Sequence, residues 1–207
     1  MDSVEAKNRK AEQSEATRAD LVKAARELFG ERGYGETSTE EIVKQARVTR
    51  GALYHHFLDK EELFKAVYEE VQRELIVKIM EAAANFELPW VERLQRGMHV
   101  FLDWYLDPAM RQIVLIDSPS VLDWQTKNEI HMRQGLGQLR TALQVAMDEG
   151  AIESQPAQVL AHVLHGALNE GSMAMARADD VRGARADIGA AIDRLLEGLR
   201  ASPSASE

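Results

Sequence analysis

The sequence predicts an all-α protein of about nine helices, three short ones at the front and mostly longer ones behind. Three observations support this. Apolar residues recur at i, i+3, i+4 and i+7 through most of the chain. No stretch alternates apolar and polar residues as a half-buried strand would. Cap and breaker residues stand between the periodic segments at helical spacings. The 207 residues are 45% hydrophobic and 29% charged, enough apolar matter for a buried core and too much for a disordered chain.

Taken in order, residues 1–16 carry no apolar period and read as a mobile arm. The first helix shows Leu21, Ala24, Ala25, Leu28 and Phe29 on one face, starts near Thr17 or Asp20, and ends at Gly33. Ser38-x-x-Glu41 fits a capping box for a short second helix over about Glu40–Ala46. Arg47-Val48-Thr49 makes a turn, and Thr49 caps a third helix, Arg50–Phe57. Lys60-Glu61-Glu62 opens a long fourth helix striped by Leu63, Phe64, Val67, Tyr68, Val71 and Leu75. Pro89 starts the next, to Leu106, and Asp107-Pro108 starts another, to about Ile116. The segment 117–120 reads as punctuation, with Ser118-Pro119 as a helix cap. A long helix then runs to Asp148 and stops at Gly150. Ser154-Gln155-Pro156 restarts the chain for two last helices, marked by Leu160, Val163, Leu164 and Leu168, then by Ile188, Ile192, Leu195 and Leu199. The tail 201–207 is small, polar and expected to fray.

Cysteine is absent, which excludes disulfides and cysteine-based catalysis and fits a reducing cytoplasm. No apolar run is long enough to span a bilayer, and the first 20 residues lack a signal-peptide core, so a cytoplasmic protein without membrane partners is expected. The formal net charge is −9, but residues 1–60 hold eleven basic and eleven acidic side chains. The acidic excess therefore lies wholly beyond residue 60, leaving the front of the chain able to meet a polyanion.

Two short helices joined by a tight turn over residues 37–60 form a helix-turn-helix pattern. Ile42, Val43, Ala46, Val48, Leu53 and Phe57 are spaced to pack this pair together. The third helix is then left to expose Thr49, Arg50, Gly51, Ala52, Tyr54, His55 and His56, with no acid among them. Such a helix can enter a DNA major groove. Thr49 and the helix N-terminus suit a phosphate, Arg50 a guanine or a phosphate, and Gly51 and Ala52 allow close approach of the backbone. Tyr54 and His56 can bond phosphates while their rings pack on sugar or a thymine methyl. Lys60 can clamp the backbone. Taken without the motif, Tyr54, His55 and His56 would read as ordinary surface or core residues. As adjacent residues, the two histidines point about 100° apart and make a poor metal pair.

The pattern T-S-x-x-x-I-V-x-x-A-x-V-T-x-G-x-L-Y-H-H-F-x-x-K-E-x-L resembles the DNA-binding domain of the tetracycline-repressor (TetR) family over about Thr17–Leu63. The resemblance implies DNA-contacting roles for Thr39, Thr49, Arg50, Gly51, Ala52, Tyr54, His55, His56 and Lys60. It also implies a homodimer, usually a repressor of palindromic operator DNA, released by a small-molecule effector. The chain departs from the family at Arg47, where glycine is common. A left-handed backbone there costs a non-glycine residue roughly 1 kcal/mol, and Arg47 either contacts phosphate or is a solvated turn residue. The expected organisation is a helix-turn-helix domain over 17–62 and a ligand-binding and dimerisation domain over 63–200.

That second domain shows no catalytic signature, so no enzyme and no cofactor are expected. Gly135-Leu136-Gly137 lacks a preceding strand and is no phosphate loop. Phe101, Trp104, Tyr105, Trp124 and Met173, with Leu115 and Met132, can line an apolar effector pocket or simply fill a core. Asp117, His131, His165 and Asn169 are polar groups that can orient a ligand or cap and solvate helices. His162 and His165, at i and i+3, can share a metal, though a polar seam explains them as well. The segment 166–171 and the Leu195, Leu196, Leu199 face can make a four-helix dimer interface from the last two long helices, or close the monomer's own core. The rival classes are a protein-binding adaptor and an all-helical enzyme. Activation instead of repression also stays open, because it depends on operator position.

Overall fold

A computed structural model describes the backbone of residues 2–201 and the side chains from residue 11 onward. Among these residues every regular element is helical; the one β-type contact is an isolated bridge between Ile152 and Arg200. We number nine helices. These are α1 (Asp2–Arg32), α2 (Thr39–Gln45), α3 (Arg50–His56), α4 (Lys60–Ala83) and α5 (Trp90–Trp104). α6 runs through Pro108–Arg111, a π-helical Gln112–Asp117, and Ser118–Val121. α7 runs through Trp124–His131, a π-helical Met132–Leu136, and Gly137–Asp148. α8 (Ala157–Ala176) and α9 (Val181–Glu197) complete the fold.

Two elements differ from the sequence reading, each for a local reason. α1 begins at Asp2, where a mobile arm through residue 16 was expected. Residues 2–16 lack an apolar face but are rich in Ala, Glu, Lys and Gln, which favour helix without needing one. α6 continues through the expected break at 117–120 and stops only at Leu122. Pro119 cannot donate an amide and its ring crowds the preceding turn; the π-helical stretch just before it widens that turn. Ser118 is accordingly no N-cap: its hydroxyl is buried and donates to the Val114 carbonyl at 2.6 Å. α4 starts at Lys60 as expected, with Asp59 just before it accepting the Glu62 amide at 2.8 Å. The expected frayed tail lies outside the described residues beyond Ala201.

The chain divides into two compact units. The first holds the chain up to Val71 together with Pro108–Asp123, so it exceeds the expected 17–62 domain by part of α4 and by α6. Its core is Leu21, Ala25, Leu28, Phe29, Ile42, Leu53, Phe57, Leu63, Phe64 and Val67, joined by Met110 and Ile113 of α6. α6 reaches α1 closely because Gly30 has no side chain: a Cβ there would stand 2.7 Å from that of Ala109. The second unit holds Gln72–Asp107 and the chain from Trp124. Leu94, Phe101, Leu102, Tyr105, Ile130, Leu143, Leu164, Leu168, Ile192 and Leu196 fill it.

Candidate DNA-reading helix and an internal polar layer

The first unit builds its candidate recognition face from local rules. Ser38 Oγ accepts the Glu41 amide at 3.3 Å and the Glu41 carboxylate accepts the Ser38 amide at 3.0 Å, so the expected capping box starts α2. Those bonds, with Arg32 beside the group, hold the Glu41 carboxyl below the usual carboxylate range. The turn to α3 passes through Arg47 at φ 57°, the left-handed geometry the sequence reading anticipated. Arg47 is exposed there, and no other non-glycine residue among those described has a positive φ. Thr49 then caps α3, its hydroxyl oxygen accepting the Ala52 amide at 3.1 Å.

On α3, Leu53 is fully buried and anchors the helix, while Thr49, Arg50, Gly51, Tyr54 and His55 are exposed and Ala52 and His56 half-buried. Tyr54 is 44% exposed, a large aromatic side chain on an otherwise polar face. The Arg50 guanidinium stands 5.5 Å from the Tyr54 ring centre and pairs with Glu40 at 3.2 Å, both partners well exposed. An exposed pair of this kind is weak and exchangeable. Thr39, at the start of α2, directs its hydroxyl to Glu40 at 3.3 Å. The rings of His55 and His56 lie edge to face at 5.2 Å.

Lys60 departs from its expected role as a backbone clamp. Its ammonium turns inward and donates to the carbonyls of Tyr34 at 2.9 Å and Thr37 at 3.0 Å, 4.0 Å from the Tyr34 ring centre. The carbonyls of the α1–α2 turn have no helical partner, and Lys60 at the head of α4 is the cation within reach. Asp117 departs likewise from the expected ligand role. Its carboxylate accepts the Tyr34 amide at 2.8 Å and the Gln112 side-chain amide at 3.0 Å, fastening α6 to the end of α1.

The second unit separates the remaining candidates. Trp124 is 76% exposed and Met132 40% exposed, so neither lines an interior. Trp124 opens α7, and the π-helical turn carries Met132 outward. Leu115 belongs to the first unit. Phe101 and Tyr105 are buried, with ring centres 5.3 Å apart, and Met173 is half-buried. His131 and His165 do come together, edge to face at 5.2 Å. Asn169, one turn along α8, contacts the His165 ring at 3.2 Å, and Gln72 of α4 contacts His131 at 3.3 Å. Burial first, then His165 and Lys127, push His131 down to about 4; burial and then His162 lower His165. Both rings are therefore neutral at pH 7. His162 is exposed and bonded to the Gln158 carbonyl at 2.7 Å. Among the described residues no three acidic or histidine side chains gather as a metal site would require.

Gln72 escaped the sequence reading although its position was a signal. It lies beside Val71 and three residues before Leu75, a polar residue set into an apolar stripe, and it is 7% exposed. On the outer side of α8, Val159 and Val163 are 59% and 62% exposed, and Leu195 of α9 is 54% exposed, while Leu196 is buried in the unit's own core. No helix among the described residues is long and apolar enough to cross a membrane.

Comparison with known proteins places both units. Residues 21–67 match the family described as bacterial regulatory proteins, tetR family, and residues 91–199 match the tetracyclin repressor-like C-terminal domain. The Tn10 TetC protein of Escherichia coli is 28% identical over 163 residues, 79% of this chain and 82% of that one. The regulator AcrR of Shigella flexneri is 43% identical over 58 residues, 28% of this chain and 27% of that protein. The crystal structure of a TetR-family transcriptional regulator from Pectobacterium atrosepticum superposes with a TM-score of 0.81 at 32% identity, over 92% of this chain and 97% of that one.

Proposed function

This chain belongs to the TetR family of bacterial DNA-binding transcriptional regulators, and we propose that it is a repressor that binds a palindromic operator as a homodimer and leaves it when an effector binds. The observation that carries the reading is the exposed face of α3. Thr49, Arg50, Gly51, Tyr54 and His55 stand in solvent on a helix without an acid, held at its base by buried Leu53. Its width suits a major groove, its N-terminus attracts phosphate, and Arg50 supplies a fork for guanine. Arg47 and Thr39 lie close enough in sequence to flank that groove, and His56 and Ala52 sit at its edges.

The homodimer is assigned to α8 and α9, whose exposed Val159, Val163 and Leu195 supply apolar surface beside the uncrowded Gly166. The effector is assigned to the second unit, around Phe101, Trp104, Tyr105, His131, His165, Asn169 and Met173. The protein is assigned to the cytoplasm, where its DNA is. α4, which is shared by both units, is the connection through which an effector changes operator affinity; a coupling of about 1–3 kcal/mol would alter it roughly 5- to 150-fold. Binding of fluorescent duplex DNA at several salt concentrations, with sedimentation to count protomers, tests the reading. Two protomers per duplex and a steep salt dependence are expected. Salt-independent or absent binding would favour the protein-adaptor alternative.

A further inference from the structure

We propose that Arg18 is a DNA-backbone contact: its guanidinium, held over the Phe57 ring at the end of α3, takes a phosphate beside the groove that α3 enters. This inference rests on the reading of α3 as a DNA-reading helix.

The period of α1 puts Arg18 at the head of the helix's inward stripe. It stands three, four and seven residues before Leu21, Val22 and Ala25, all buried, yet Arg18 is itself exposed. An arginine in such a place can lay its stem along apolar surface and carry its charge past the edge of the core. Its guanidinium carbon lies 5.1 Å from the ring centre of Phe57. Phe57 is buried and is the C-cap of α3, its amide donating to the Leu53 carbonyl at 2.9 Å. The half-buried His56 ring lies 6.4 Å from the Phe57 ring. Packing within one compact unit therefore sets the cation at the end of the exposed helix.

The neighbouring cations are committed elsewhere. Of the α1 arginines with described side chains, Arg26 pairs with Glu70 at 3.4 Å and Arg32 with Glu41 at 2.9 Å. Arg18 pairs with no acid among the described residues. Lys60 spends its ammonium on two carbonyls of the α1–α2 turn. An aromatic ring offers a cation no lone pair, so the N–H donors of Arg18 are left to water or to a phosphate. A guanidinium fork matches the oxygens of a phosphate in geometry as well as in charge. Arg47, exposed in the turn before α3, is the cation at the other end of the helix. From its N-cap Thr49 to its C-cap Phe57, α3 spans about 12 Å, close to the width of a major groove, about 12 Å. Cations bracketing the helix in this way can each meet a phosphate, which fixes its register in the groove without reading a base.

Fluorescence anisotropy of a short labelled duplex of random sequence, titrated with the full-length protein at several sodium chloride concentrations, gives the slope of log affinity against log salt. Arg18→Gln should weaken binding several-fold and lower that slope by about one. Arg18→Lys keeps the charge and should keep the slope. Lys23→Gln removes the same charge from an exposed position on another face of α1, and should leave the slope as in the parent. Thermal unfolding of the same variants reads the ring contact, which is weak at an exposed site, so Arg18→Gln should move the midpoint little. A parent-like slope in Arg18→Gln, with or without a large drop in midpoint, or an equal fall in Lys23→Gln, would overturn the inference. Steep salt dependence in the parent beside an unaltered slope in Arg18→Gln sinks only the role of Arg18. A parent protein that binds no duplex sinks the DNA-reading helix with it.

Discussion

Replacing Lys60 with methionine removes an ammonium while keeping the length of the side chain. The ammonium makes two bonds to carbonyls of the α1–α2 turn and lies 4.0 Å from the Tyr34 ring centre. Hydrogen bonds involving a charged group are worth about 1.5–3 kcal/mol each. Lys60 is only half-buried, so solvent returns part of that to the freed carbonyls. A net loss of about 2–3 kcal/mol follows, or roughly 4–12 °C in Tm for a chain of this size. The assay is thermal or urea unfolding alongside operator binding measured at several salt concentrations. The inward geometry predicts lower stability, with the slope of log affinity against log salt unchanged. If Lys60 instead neutralised a phosphate, stability would hold and the slope would fall by about one. That second outcome would refute the structural role.

Arg47→Gly removes the left-handed strain at φ 57° and should stabilise the protein by up to about 1 kcal/mol, read as a higher urea midpoint. Asp117→Ala leaves the Tyr34 amide without its acceptor and should cost about 1–2 kcal/mol by the same assay, with Asp117→Asn intermediate. Tyr54→Ala should weaken binding to all DNA sequences without altering Tm, since the ring is exposed, while Arg50→Ala should relax preference at one base pair; unchanged specificity would make Arg50 a phosphate contact. His131 has a lower pKa folded than unfolded, so the unfolded chain binds the extra proton. Its contribution is therefore complete above about pH 6.5 and is lost as pH falls toward about 4, amounting to at most about 3 kcal/mol. His131→Gln should flatten that part of the stability–pH curve relative to the parent; identical curves would mean the ring is solvated.

The helices and the exposed face of α3 were legible in the sequence because both depend on near neighbours. The Ser38–Glu41 box, the Thr49 cap, and glycines at 33 and 150 act within a turn or two, and each stands where expected. Side-chain destinations set by distant packing were less legible. Lys60 sits on a helix start that looks open to DNA, yet the carbonyls it serves lie 26 and 23 residues earlier. Asp117 resembled a ligand group because its partner amide, at Tyr34, lies 83 residues away. The continuity of α6 past Pro119 was hidden because a π-helical turn leaves no composition signal. His131 and His165 were both visible as candidates, but their meeting depends on the register of α7 against α8, which periodicity does not fix.

Selection of bound sequences from random duplex DNA, with the effector-free protein at near-physiological salt, tests whether the exposed face of α3 reads a palindromic operator. Enrichment of a palindrome with two half-sites is expected, lost in Arg50→Ala at one position per half-site if Arg50 reads a base. A folded protein that enriches no sequence would contradict it.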